Sequence, residues 1–373
     1  MLPKQDGRTL LRVDARMKRA VFVSAALWAI LGLPGPACAE PNVAAANAAM
    51  AVIVRDANAP GGGLAVADGG RLVDVQGFGF ENVAAHVPVG PDTMFALASC
   101  SKPITAMAIM KLVDRGSIAL RTPAFAFLGM HRVADPRASE ITIEELLNHS
   151  SGLPHDVPAK TGDPMNTARA AANVKLLFAP GTQQAYSNAG FNVLGAVIEK
   201  ASGQTYVDFV RDNVFAPARV TRFAALQARA AVPGQAVRYA KNGHAVVNRI
   251  EEGGTPAGGW VLSPADMVRV LAAYDAGKIV SAASRDAMLA PPVAPLMPRS
   301  NGSAFGLGWD VVYRLNGNPQ AVFYGKNGGI SGSSTWIEHR PDGIVFAVFY
   351  NGGNGGGAHR AGLVALERAL DGR

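Results

Sequence analysis

Ser99 and Lys102 stand in the stretch Phe95 to Gly116, FALASCSKPITAMAIMKLVDRG, where an apolar segment turns into a helical pattern. A serine hydroxyl becomes a good nucleophile only when a base takes its proton. A lysine amine is such a base once burial or a neighbouring cation lowers its pKa. A separation of three residues puts the two side chains about one turn apart on the same helix face. The Ser99 backbone N–H, at a helix start, is available to an oxyanion. With 17 Ser and 10 Lys among 373 residues, chance alone supplies about half a Ser-x-x-Lys match, so the pair needs company.

Two further segments offer it. Tyr186-Ser187-Asn188 precedes the helical run GFNVLGAVIEKASG. A phenol near an ammonium relays protons more easily, and an amide both donates and accepts. The other segment is a Lys-x-Gly element, for which three places compete. Lys160-Thr161-Gly162 lies in the polar loop AKTGDP, and Lys241-Asn242-Gly243 has the wording of a hairpin turn. Lys326-Asn327-Gly328-Gly329 follows the apolar run AVFYG and leads into ISGSSTWIEH. Only there do glycines let a ligand approach a strand closely, so Lys326 is preferred. Cys100 reads as a small buried neighbour of Ser99 rather than a thiol nucleophile. The seven His show no ligand spacing, no metal or cofactor is called for, and His149 reads as structural.

These residues need elements to hold them. Pro103 fits the first turn of a helix. Ala106, Ile109, Met110 and Val113 recur at helical spacing, which predicts an amphipathic helix ending at Asp114-Arg115-Gly116. Residues 41–57 read as an Ala-rich helix that fades into a strand. Gly63–Asp68 and Arg71–Phe80 read as strands about the turn Asp68-Gly69-Gly70. From about 117 to 235 the pattern is mostly helical, with segments at 143–148, 168–178, 190–201 and 206–214. Ser263-Pro264-Ala265-Asp266 caps a helix that runs through Tyr274. Ser334–Glu338 and Ile344–Tyr350 read as strands, and 358–371 as a closing helix. The Gly-rich NGGNGGG (351–357) lacks phosphate-loop register and reads as a turn. The expected fold is α+β: one antiparallel sheet made from both chain ends, flanked by helices, with an inserted helical subdomain.

Composition narrows the class. Hydrophobic residues make up 49% and charged residues 17%, which is ordinary for a large globular chain. Met17-Lys18-Arg19, the apolar run 20–33 and Ala37-Cys38-Ala39 have the layout of a secretory signal peptide cleaved before Glu40. Residues 40–373 then form a single domain. Without the leader's six Lys/Arg and two Asp, 29 basic and 26 acidic residues remain, a net charge of +3. No basic run carries interleaved aromatics, so nucleic acid is not expected as a partner. The apolar run is too short for a convincing membrane span, and one cysteine excludes an internal disulfide. Oligomeric state is left open.

Ser99-x-x-Lys102, Tyr186-Ser187-Asn188 and Lys326-Asn327-Gly328 occur in the order found in the serine β-lactamase and penicillin-binding protein superfamily. ITIEELLNHSSGLP, SPADM, FGLGW and GKNGGISGSS add to the likeness. Over residues 45–370 the chain resembles the class C-like branch: class C β-lactamases, D-alanyl-D-alanine carboxypeptidases, D-aminopeptidases and family VIII esterases. The resemblance implies a β-lactamase/transpeptidase-like fold and a secreted or periplasmic serine hydrolase forming an acyl-enzyme on an ester or small amide or peptide. It implies Ser99 as nucleophile, with Lys102 and Tyr186 handling protons and either of them the base. Asn188 and Lys326 would hold substrate, and the N–H groups of Ser99 and Gly329 would form the oxyanion hole. Two positions depart from the family. Asn327 replaces the Thr of Lys-Thr-Gly, and Asp156 stands where class C β-lactamases carry Gln. Both weigh against an efficient β-lactamase, which is the alternative reading. A penicillin-recognising protein without turnover is another.

Overall fold

The computed structural model describes residues 40–158, 163–226, 232–246, 254–293, 295–314, 320–353 and 360–371. The leader 1–39, Lys160-Thr161-Gly162 and the later part of NGGNGGG lie outside these. Residues 40–373 form one contact unit.

Helix α1 (Val43–Asp56) leads into β1 (Gly61–Asp68) and β2 (Arg71–Asn82). The Gly69-Gly70 turn joins these strands, and both glycines have positive φ. Short β3 (Val87–Pro88) and β4 (Phe95–Ala96) follow. A 3-10 turn, Ala98–Ser101, then runs into α2 (Lys102–Asp114). Further on come α3 (Ile143–Leu147) and α4 (Asn188–Ser202). Short β5 (Ala224–Ala225), β6 (Trp260–Leu262) and α5 (Pro264–Asp275) lie beyond them. The C-terminal part holds β7 (Ser303–Phe305), β8 (Asp310–Arg314), β9 (Gln320–Ile330), β10 (Ser333–His339), β11 (Ile344–Tyr350) and α6 (Arg360–Leu370).

Eight strands make one sheet in the order β3-β2-β1-β11-β10-β9-β8-β7, and every pairing is antiparallel. β1 from the start of the domain pairs with β11 from its end, Gly62 opposite Tyr350 through Asp68 opposite Ile344. β4, β6 and β5 form a second, small sheet. On one face of the large sheet Leu64, Val66, Phe346 and Val348 meet α1 and α6 through Met50, Ile53, Leu363 and Leu366. On the other face Ala65, Ala347 and Phe349 join the larger core around α2, α4 and α5. Strand alternation produces this split, since successive side chains point to opposite faces.

The α2 segment departs from the expected amphipathic helix. Residues 102–110 and Leu112 are all buried. KPITAMAIMKLVD supplies polar side chains only at its ends and at Thr105, so it has no polar face, and a helix apolar all round packs inside. It does start with Pro103 in its first turn, and Gly116 sits just past its end with φ +70°.

Candidate active site

The site forms where the 3-10 turn before α2, the loop before α4 and the edge of β9 converge. Ala98, just ahead of Ser99, has φ +47°, a left-handed conformation uncommon for alanine. The turn is held from below. Thr335 Oγ1 on β10 donates to Leu97 O at 2.7 Å, and Ser333 Oγ donates to Ala96 O at 2.7 Å. Gly328 faces the same turn. A Cβ there would lie 2.3 Å from Leu97 O and 2.4 Å from Thr335 Oγ1, so only glycine lets β9 come this close.

Ser99 is half-buried and Lys102 fully buried, with Nζ 3.2 Å from Ser99 Oγ. Lys102 Nζ also donates to Asn188 Oδ1 at 2.8 Å and to Ala257 O at 2.7 Å. Burial, and then the charge of Lys326, hold the Lys102 amine well below the usual lysine range. The Tyr186 hydroxyl is hydrogen-bonded to Ser99 Oγ. Burial pushes its phenol above the ordinary tyrosine value, against the lowering effect of the Ser99 bond.

Ser187 caps α4, accepting from Gly190 N at 3.0 Å and donating to Pro154 O at 2.7 Å. Asn188 N donates to His155 O at 2.8 Å. Together these bonds tie the loop 154–156 to the start of α4. They bring Asp156 within reach of Asn188, whose Nδ2 donates to Asp156 Oδ1 at 3.2 Å. With Nδ2 so engaged, Oδ1 is the atom left for Lys102. Asp156 is exposed, and its other oxygen pairs with His155 Nδ1.

Lys326 is buried on β9, and its Nζ stands 5.1 Å from the centre of the Tyr186 ring. It forms an ion pair with Asp310 Oδ1 at 2.6 Å. The sequence reading missed Asp310, although it follows the FGLGW segment. Asp310 starts β8 opposite Gly325, the residue just before Lys326 on β9. His149 is buried, with its ring 4.6 Å from that of Tyr186. Its Nδ1 accepts from Ser187 N at 3.1 Å. Burial, then the Lys326 and Lys102 charges, keep its imidazole well below the ordinary histidine value.

The structure thus brings Ser99, Lys102, Tyr186, Asn188, Asp156, Lys326 and Gly328 together. Gly329 follows on the same strand, opposite Ser334. Asn327 does not join them. It is exposed and pairs with Trp336, whose side chain packs on the α1–α6 side, so its own falls on the face away from Lys326. Lys241-Asn242-Gly243 sits in a turn closed by the Tyr239–Ala245 bridge. Cys100 is fully buried. Its Sγ donates to Lys326 O at 3.2 Å, and burial pushes the thiol up to about 12.

Comparison with known proteins identifies the family. A family model described as Beta-lactamase matches residues 44–369. The chain is 30% identical over 325 residues to Penicillin-binding protein 4 of Amycolatopsis lactamdurans, spanning 79% of this chain and 81% of that protein. It is 29% identical over 343 residues to Esterase EstB of Burkholderia gladioli, spanning 77% and 84%. The structure of an octameric penicillin-binding protein homologue from Pyrococcus abyssi aligns with a TM-score of 0.73 at 25% identity, over 87% of this chain and 76% of that one. The family match covers the sheet, the helices and every segment of the site, and the chain belongs to the beta-lactamase family.

Proposed function

We propose that this protein is a serine hydrolase that cleaves an ester or small amide through an acyl-enzyme, with Ser99 as the nucleophile. The observation that carries the reading is that Ser99 Oγ lies within hydrogen-bond reach of both Lys102 Nζ and the Tyr186 hydroxyl.

The hydrogen-bond inventory supports a division of labour. A neutral amine has two N–H donors and one lone pair. Asn188 Oδ1 and Ala257 O accept two hydrogens from Lys102, and the third neighbour is Ser99. The lone pair then faces the Ser99 hydroxyl. The buried phenol of Tyr186 keeps its proton and donates to Ser99 Oγ, so Lys102 is the resting base.

In acylation Ser99 Oγ forms its bond to the substrate carbonyl while its proton passes to Lys102. The carbonyl electron pair moves onto the oxygen, where the N–H groups of Ser99 and Gly329 would receive it. As that pair returns, the leaving-group bond breaks. Tyr186 hands its proton to the leaving atom and is reprotonated from Lys102. In deacylation water attacks the acyl carbonyl and its proton goes to Lys102; as the acyl–oxygen bond breaks, Ser99 Oγ leaves and takes that proton from Lys102.

The similarity to Penicillin-binding protein 4 favours a second reading: the site acylates with penicillin and releases it slowly. Hydrolysis of 4-nitrophenyl butyrate, and penicillin adducts followed by intact mass, separate the two. Steady ester turnover lost in Ser99→Ala supports the hydrolase. A lasting penicillin adduct without ester turnover supports the second reading, and rapid penicillin loss would make the protein a β-lactamase. The layout of residues 1–39 supports export with cleavage before Glu40, which N-terminal sequencing of the exported protein checks.

A further inference from the structure

We propose that Asp310 is a specificity-determining residue: it neutralises Lys326, so the site selects substrates without a carboxylate on the leaving group. This inference rests on the hydrolase reading above. It deepens it by setting aside substrates, such as peptides cleaved next to a C-terminal carboxylate, whose leaving group carries a negative charge.

Lys326 is the cation built into this wall of the site. Its side chain is 2% exposed, and its Nζ lies 5.1 Å from the Tyr186 ring centre and 5.4 Å from that of Phe305. Tyr186 is the residue assigned to protonate the leaving group, so the Lys326 ammonium faces the leaving-group side. An unpaired buried ammonium there would attract a carboxylate. Asp310 Oδ1 takes that place at 2.6 Å, and its side chain is 39% exposed beside the opening. An incoming carboxylate must compete with a carboxylate that is already fixed, and like charges so close repel.

Among the described residues named here, the other charges do not restore an anion site. Lys102 is fully buried, with its amine directed at Asn188, Ala257 and Ser99. Asp156, exposed and bonded to Asn188, adds a second negative group. The Arg299 guanidinium stands 5.4 Å from the Phe305 ring centre, but its residue is exposed, where hydration and salt weaken its pull. Asn327 cannot grip the anion, since its side chain lies on the far face of β9.

The test compares 3-carboxyphenyl butyrate with its neutral isostere 3-carbamoylphenyl butyrate. The acyl group, and so the acyl-enzyme, is the same for both. For the wild-type protein the expected kcat/KM favours the carbamoyl ester by about tenfold, a modest figure suited to a half-exposed partner. Asp310→Asn keeps the shape and one acceptor but removes the charge, and is expected to shift the ratio about tenfold toward the carboxylate ester. Asp310→Glu is expected to restore the wild-type ratio. A wild-type protein that prefers the carboxylate ester, or treats the two alike, overturns the proposal. So does an unchanged ratio in Asp310→Asn. If Asp310→Asn fails to fold, the wild-type and Asp310→Glu ratios decide. Should neither ester be turned over in a Ser99-dependent way, the hydrolase reading itself fails and this inference falls with it.

Discussion

Lys102 Nζ lies 3.2 Å from Ser99 Oγ while two carbonyl oxygens, Asn188 Oδ1 and Ala257 O, take its other contacts at 2.8 and 2.7 Å. Burial, and then the Lys326 charge, make this amine a poor ammonium and a good base. Its depressed pKa means that, between that value and about 10.4, the unfolded chain binds one more proton than the folded one. Burying Lys102 therefore costs stability, and the cost falls as pH rises through that window. The melting-temperature gap between Lys102→Met and wild type is expected to move in favour of wild type from about pH 7 to about pH 10. Perturbed tyrosines common to both proteins cancel in this difference. A gap independent of pH would mean that Lys102 stays charged in the fold. Turnover by Lys102→Met is expected to fall at least 100-fold, about the smallest loss for removing a general base.

Tyr186 meets Ser99 Oγ through a phenol whose pKa burial raises rather than lowers. Tyr186→Phe keeps the ring against His149 and removes only the proton relay. Loss of about 10²–10⁴ in kcat is expected, with little change in melting temperature. The loss should be greater for leaving groups that need a proton, such as alkyl esters, than for nitrophenolate. Equal losses for both would contradict the relay.

Gly328 is the point where β9 touches the turn that carries Ser99. Gly328→Ala places a methyl 2.3 Å from Leu97 O, an atom of the backbone that cannot swing aside. Overpacking of this kind costs about 1–3 kcal/mol. It also displaces Ser99, so kcat/KM is expected to drop more than about tenfold. Kinetics and thermal melts of the variant check both, and wild-type activity would show that the contact does not set the position of Ser99.

Cys100 lies next to Ser99 in sequence but points into the core beside Thr335 and Lys326 O. With its thiol pushed up to about 12 and no exposure, iodoacetamide is expected to leave it unmodified in the native protein and to label it after denaturation. Cys100→Ala is expected to keep ester turnover within about fivefold, with a modest stability loss from the lost contacts. Stoichiometric labelling of the native protein would contradict this placement.

Much of the site was legible because its parts are local. Ser-x-x-Lys at a helix start, Tyr186-Ser187-Asn188 just ahead of a helical run, and the two hairpins at the chain ends are each written in a few neighbouring residues. The sheet joining β1 to β11 followed from the strand patterns at both ends. Asp310 was not legible, because it meets Lys326 only once β8 lies beside β9, and the two residues are sixteen apart in sequence. The loop contact between Asp156 and Asn188 depends on His155 O and Pro154 O, and no local pattern signals it. Asn327 is the instructive miss. It neighbours Lys326 in sequence, yet period-two alternation puts it on the opposite face, a rule the sequence alone could have supplied. The burial of α2 was also foreseeable, since KPITAMAIM offers almost no polar side.

The most direct measurement is to mix the protein with 4-nitrophenyl butyrate, quench in acid within the first turnovers, and map the butyryl group by peptide mass spectrometry. A butyryl adduct on the peptide containing Ser99, at that residue and absent from Ser99→Ala, is the expected result. An adduct on another residue, or undiminished ester turnover by Ser99→Ala, would contradict the assignment of Ser99 as the nucleophile.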